Sequence, residues 1–161
     1  MSVPPVDRAL DPRVVTLWRA ERLLRLLFFT GPVLAGGGLA LGQAVGAAAG
    51  AVVAGGFFLL ALLLAVVWPA LAHGAYRYAV REHDLLIRSG VLFRRWSAIP
   101  LARVQHVDTR QGPLERSFGL QRLLVYTASG VSADGVIPGL SEADAHELRD
   151  ALARRGPDDG V

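Results

Sequence analysis

The side chains able to do chemistry in this chain are few and scattered. Its four histidines, His73, His83, His106 and His146, are dispersed, with no H-x-x-x-H spacing and no convincing carboxylate grouping. No metal-ligating constellation follows from them. The chain has no cysteine, which excludes a disulfide, a thiolate nucleophile and a Cys-ligated metal. It carries no G-x-S-x-G, no P-loop and no G-x-G-x-x-G after a strand. The glycine-rich run "AGGGLALGQAVG" lies inside an apolar stretch, where a phosphate cradle has no water to open onto. We therefore expect no catalytic residue, no metal and no cofactor.

What remains is charge. All 17 basic residues are arginine, which beside the abundance of Ala and Gly reads as coding bias rather than a choice of guanidinium. Residues 74–140 hold nine arginines against five acids, and residues 141–161 hold three against six. A basic segment followed by an acidic one suits a domain lying beside anionic head groups, where each nearby cation contributes about 1 kcal/mol. A solvated basic surface is the plainer reading of the same charge. Nucleic acid is not expected as a partner, because neither a stacking platform of aromatics nor a groove-reading helix accompanies the arginines.

The elements that must position these groups begin with a membrane hairpin. From Leu26 to Tyr76, 51 consecutive residues contain no Asp, Glu, Lys or Arg, and about 20 apolar residues suffice to cross a bilayer core. Spans at about 23–41 and 52–72 are expected, with the turn in "GQAVGAAAG". A cleaved signal peptide, with "AVGAAAGA" as its cleavage region, is the competing reading. Acids at Asp7, Asp11 and Glu21 ahead of the apolar run, and a second span just after it, argue against cleavage. Trp18, Arg19, Arg22 and Arg25 at one end, and Trp68, Tyr76 and Arg77 at the other, are the expected interface anchors. The arginines flank both outer ends and the turn carries no charge, so both termini are expected in the cytoplasm. Gly38, Gly42, Gly46 and Gly50 recur every four residues. That spacing allows close helix approach in lipid, although a Gly-rich composition scatters glycines freely.

Around the hairpin, residues 1–11 read as a loose lead, with Asp11-Pro12 opening a helix as N-cap and first-turn proline. After it come short alternating runs: "YRYAVRE", "LLIRSG", "VLFRRWSAIP" beginning just after Ser89-Gly90, and residues 101–109 with a bulge or bend. "PLERSFG" makes a single helical turn, and "LQRLLVYTAS" and "VIPGL" are further strands. Ser141 then caps a helix with Ala145, Leu148, Ala151 and Leu152 along one side. The expected layout is a cytoplasmic segment 1–22, a hairpin 23–73, a domain 74–155 and a disordered tail 156–161.

The run "IPLARVQHVDTRQGPLERSFGLQRLLVYTASG" resembles the YdbS-like bacterial pleckstrin-homology (PH) domain membrane proteins. The resemblance rests on Ile99-Pro100, Arg103, Val104-Gln105, Gln111, Arg116, Phe118-Gly119-Leu120 and Thr127-Ala128. It extends upstream to Trp18-Arg19 and to the "YxVxExxLxIRxGVLxRR" pattern running from Tyr78 to Arg95, with one extra residue after Glu82. It implies a membrane hairpin followed by a bent antiparallel barrel of about seven strands closed by a C-terminal helix. It also implies location in the bacterial cytoplasmic membrane as a multi-pass protein, and no enzymatic activity. In that frame Phe118 and Leu120 enter the core, and Gly119 permits a tight turn. Gln105 and Gln111 satisfy backbone groups, while Pro100 and Thr127 belong to the structural motif. Arg94, Arg95, Arg103 and Arg116 are the candidates for contact with a protein partner or anionic lipid. The partner implied is a larger membrane protein carrying several such domains, or a second copy of the chain. A pore-forming or accessory transport subunit is the alternative, opposed by spans whose polar groups reduce to Thr30, Gln43 and His73.

Overall fold

The computed structural model describes residues 8–128 and 133–154. They form two compact units: a helical unit of residues 15–70, and a β unit made of residues 8–14 with 71–154.

The helical stretches are α1 (Arg13–Arg25), a π-helical turn (Leu26–Thr30), α2 (Gly31–Val45) and α3 (Ala47–Ala75). The two apolar helical runs are 33 and 29 residues long. The shorter extends about 43 Å at 1.5 Å per residue, which exceeds the bilayer's hydrocarbon thickness. The nine-residue turn expected from the sequence shrinks to Gly46, at φ +105°, because backbone groups in lipid have only one another to bond. The π-helical turn has a local cause. Pro32 has no N–H and its ring crowds the preceding turn, so the Gly31 N–H reaches back to the Leu26 carbonyl. Pro69 lies inside α3, which stays α-helical through it.

The four-spaced glycines divide by role. Gly46 makes the turn, and the other three bring α2 and α3 together. A Cβ on Gly50 would strike the Gly38 carbonyl oxygen and lie 2.7 Å from the Gly42 nitrogen, and one on Gly38 would lie 2.6 Å from the Ala54 Cβ. Backbone meets backbone there, as small residues allow in lipid.

The β unit contains two three-stranded antiparallel sheets among the described residues. One is β1 (Arg77–Val80), β2 (Asp84–Ser89) and β3 (Arg95–Pro100); the other is β4 (Val104–Arg110), β5 (Leu120–Thr127) and β6 (Gly135–Ser141). The second sheet also carries a short helix α4 (Pro113–Ser117) and the closing helix α5 (Glu142–Ala153). Six strands thus stand where about seven were expected. A further bridge joins Arg8 to Tyr78 through reciprocal 3.0 Å backbone bonds.

That bridge corrects the reading of the lead. Residues 8–14 pack into the β unit as a strap, with Leu10 and Val14 buried. The Asp11 N–H donates to the Gly139 carbonyl at 3.0 Å, and Val14 occupies the space a side chain on Gly139 would need. His73 Nε2 lies 3.0 Å from the Leu10 carbonyl, which can only accept, so that nitrogen carries the proton. The strap ends in the Asp11 cap, whose Oδ1 accepts from the Arg13 N–H at 2.8 Å.

Leu85, Leu120, Leu123, Val125, Ile137 and Leu148 form the core, each at most 2% exposed. The two sheets meet where Gly135 leaves room: a Cβ there would lie 2.5 Å from Ile99 Cδ1 and 3.1 Å from Ile87 Cδ1. Helix α5 packs on β4, β5 and β6, capped by Ser141 Oγ accepting from the Asp144 N–H at 3.1 Å. Ala145, Leu148 and Leu152 are buried, and Ala151 falls to the margin of that face.

Candidate membrane-facing site

The first sheet defines a basic, aromatic end. Arg77 on β1 pairs with Arg88 on β2, and Arg88 pairs with Trp96 on β3. Directly opposed residues share a face, so these three side chains form one row across the sheet. The Arg88 guanidinium stacks over the Trp96 ring, 5.4 Å from its centroid, a cation–π contact. Arg77 turns back to the end of α3, its Nη1 donating to the carbonyls of Tyr76 at 2.6 Å and His73 at 3.1 Å. A cation there meets the carbonyls a helix leaves unpaired. The Tyr76 hydroxyl donates to the Val136 carbonyl, and burial pushes its pKa above the ordinary phenol range.

Past this row, β2 and β3 continue to the Ser89–Arg95 pair and then to a tip. The sequence assigned "VLFRRWSAIP" to strand from its start, whereas β3 begins only at Arg95. The reason is Gly90 at φ +99°, where a Cβ would collide with the Phe93 carbonyl. The chain reverses there instead of extending. Leu92 is 74% and Phe93 89% exposed, and Trp96 44%. Arg94 and Arg95 are exposed next to them. At the base of the hairpin a cleft of about 260 Å³ opens between Tyr76, Ser89, Arg95, Ser97, Asp134 and Val136. Its floor is fixed by the Asp134 carboxylate, which accepts from the Thr127 N–H at 3.0 Å and the Thr127 hydroxyl at 2.7 Å.

The four candidate arginines are not brought together. Arg94 and Arg95 stand at the tip, and Arg103 lies in the 3₁₀ turn beyond the opposite end of β3. Six strand residues at about 3.3 Å each separate them by roughly 20 Å. Arg116 sits on α4, which follows the far end of β4 from Arg103. Among the described residues, none of the four has a carboxylate partner.

The remaining motif positions serve the fold in different ways. Pro100 closes β3 ahead of the 3₁₀ turn. Gln111 Nε2 donates to the Leu120 carbonyl at 3.0 Å. Gln105, by contrast, lies exposed in the bulge between Val104 and His106 and makes no side-chain hydrogen bond among the described residues. The bulge turns it outward, so the expected backbone contact is not formed. Leu120 is fully buried. Phe118 is only half-buried, because it caps α4 and offers its carbonyl to Arg13 Nη1 at 3.3 Å in place of entering the core. Gly119 follows at φ +63°, a left-handed turn that suits glycine.

In the helical unit, Arg19 Nε donates to the Val66 carbonyl at 2.9 Å, in the turn of α3 ahead of Pro69. Trp18, Arg22 and Trp68 are half-buried and Arg25 is exposed. Sequence reasoning missed Glu115, which is 4% exposed, accepts from the Gly112 N–H at 2.6 Å and pairs with Arg122 Nε at 2.8 Å. The Gly-x-x-Glu spacing ahead of α4 was the available signal.

Two apolar helices long enough to cross a bilayer, followed by two three-stranded sheets and a closing helix, define a membrane protein with a PH-like domain. Residues 33–156 match the bacterial PH domain family, and the chain belongs to it. It is 38% identical over 112 residues to the transmembrane protein YdbS of Bacillus subtilis (strain 168), covering 68% of this chain and 69% of that protein. No solved structure matches the chain.

Proposed function

We propose that the hairpin holds the PH-like domain at the cytoplasmic face of the membrane, where it binds a membrane protein partner or anionic lipid. The observation that carries this reading is the end of the first sheet. Arg88, Trp96, Arg94 and Arg95 gather where the chain leaves α3, and the two tip arginines have no carboxylate partner among the described residues. Arginines left unpaired on a membrane-tethered domain have head-group phosphates or an acidic surface as their available counter-charge. Tethering raises the local concentration of both parties, so a weak contact suffices. The partner in this reading is a larger membrane protein bearing several such domains, with this chain as the small subunit.

Crosslinking the full-length protein in native membranes, followed by mass spectrometry of co-purified proteins and lipids, tests it. One recurrent membrane protein supports the subunit role, and enriched anionic lipid without a companion supports the lipid role. Recovery of neither would sink both.

A further inference from the structure

We propose that the β2–β3 tip is a wedge: Leu92 and Phe93 enter the leaflet to which the chain is tethered, and Arg94 and Arg95 hold anionic head groups beside them. The proposal deepens the lipid half of the proposed function and rests on it.

Three observations converge. The first is register. Arg88 pairs with Arg77, and β1 begins two residues after α3 ends at Ala75. The β2–β3 hairpin therefore returns to the strand position at which β1 begins after α3. Its tip, Gly90 to Arg94, extends past the last strand pair by roughly 7 Å at about 3.3 Å per residue. The second is exposure. Most large aliphatic side chains of the β unit are withdrawn, whereas Leu92 and Phe93 are its most exposed large apolar residues among those described, at 74% and 89%. Gly90 enforces that exposure, since its positive φ sets the turn. The third is chemistry. An apolar point with arginines directly behind it, and a tryptophan stacked under Arg88 one pair further back, offers acyl chains an apolar contact and head-group phosphates a counter-charge. An acidic protein surface would answer the arginines but not the apolar point.

The absence of cysteine makes the test direct. Phe93→Cys in the full-length chain gives a single thiol on an exposed residue, so folding is not at stake. It is labelled with an environment-sensitive fluorophore in nanodiscs of phosphatidylcholine, with or without phosphatidylglycerol. Ala102→Cys, exposed beyond the opposite end of β3, is the reference. Quenching by nitroxide-bearing lipid several-fold stronger at position 93 than at 102, rising further with phosphatidylglycerol, is the expected result. Arg94→Gln with Arg95→Gln should remove that rise. Quenching no stronger at 93 than at 102 would overturn the wedge. So would a probe shielded from aqueous iodide yet unquenched by lipid, since a protein surface then covers the tip. Quenching unaffected by phosphatidylglycerol would overturn the role of the arginines. The outcomes separate from those of the pull-down: a wet probe with lipid recovered sinks the wedge alone, and a quenched probe with neither lipid nor partner recovered sinks the broader reading alone.

Discussion

In the helical unit Phe29, Val33, Leu39 and Val52 stand outward, 71 to 74% exposed, whereas in the β unit Leu85, Leu123, Ile137 and Leu148 are withdrawn from solvent. The two regions draw on similar side chains and sort them in opposite directions. Water drives apolar groups into the β unit's core. Lipid gives no such drive, so the hairpin is held by shape, with Gly38, Gly42 and Gly50 letting α2 and α3 approach until backbone meets backbone. Leu92 and Phe93 belong to the β unit by sequence position but follow the helical unit's rule. That mismatch is the ground for placing the tip in lipid.

If shape alone holds the hairpin, it should fail to added volume and not to lost burial. Gly50→Leu drives a side chain into the Gly38 carbonyl and the Gly42 backbone, neither of which can rotate away. A cost of about 3 kcal/mol or more is expected from such overpacking. Hydrogen exchange of the full chain in nanodiscs reads each unit separately. Residues of α2 and α3 should lose protection while β5 and α5 keep theirs. Equal loss in both units would show that the β unit depends on the hairpin, and the two would then not fail independently.

The β unit should fail to the opposite kind of change. Glu115→Ala adds no volume but strands the Gly112 N–H and the Arg122 guanidinium, both now served by one buried carboxylate. Removing such a partner costs about 2 kcal/mol. Exchange should quicken in α4 and β5 and leave α2 and α3 unchanged. Glu115→Gln, which keeps an acceptor, should recover part of the loss.

The hairpin was legible in the sequence because a run of 51 uncharged residues has one cheap environment, and α5 was legible because its cap and apolar face lie within one local period. What escaped depends on distance. Arg13 reaches the Phe118 carbonyl across 105 residues, and the strap's seat on Gly139 joins equally remote segments. No local pattern records either. Phe118 escaped for a related reason: its motif gives its type, but its depth depends on where α4 ends. The tip escaped because "VLF" satisfies strand periodicity, and only the Gly90 backbone conformation shows that the chain turns before it pairs. Of the candidate arginines, the sequence supplied the charges, while the separation of Arg103 and Arg116 from the tip needed the register.

The two regions differ last in their response to acid. The run from Leu26 to Tyr76 contains no carboxylate, so no carboxyl there takes up a proton as the pH falls, whereas the strap is pinned by one. The Arg13 guanidinium hydrogen-bonded to Asp11 holds that carboxyl below its ordinary value of 3.8. A carboxyl with a lowered folded-state pKa stabilises the fold fully above its unfolded value, and that stabilisation fades as the pH falls through the folded one. Asp11→Ala should therefore cost about 1 kcal/mol near neutrality, the usual loss for a helix cap, and progressively less as the pH drops below 3.8. The measurement is exchange at Val14 and Tyr78, on the strap and on the strand it bridges, compared between wild type and variant across that range. A difference that persisted undiminished in acid would mean that Asp11 acts through packing and not through charge. A difference that spread to α2 would mean the strap's ion pair also supports the hairpin, and pH would then no longer separate the two regions.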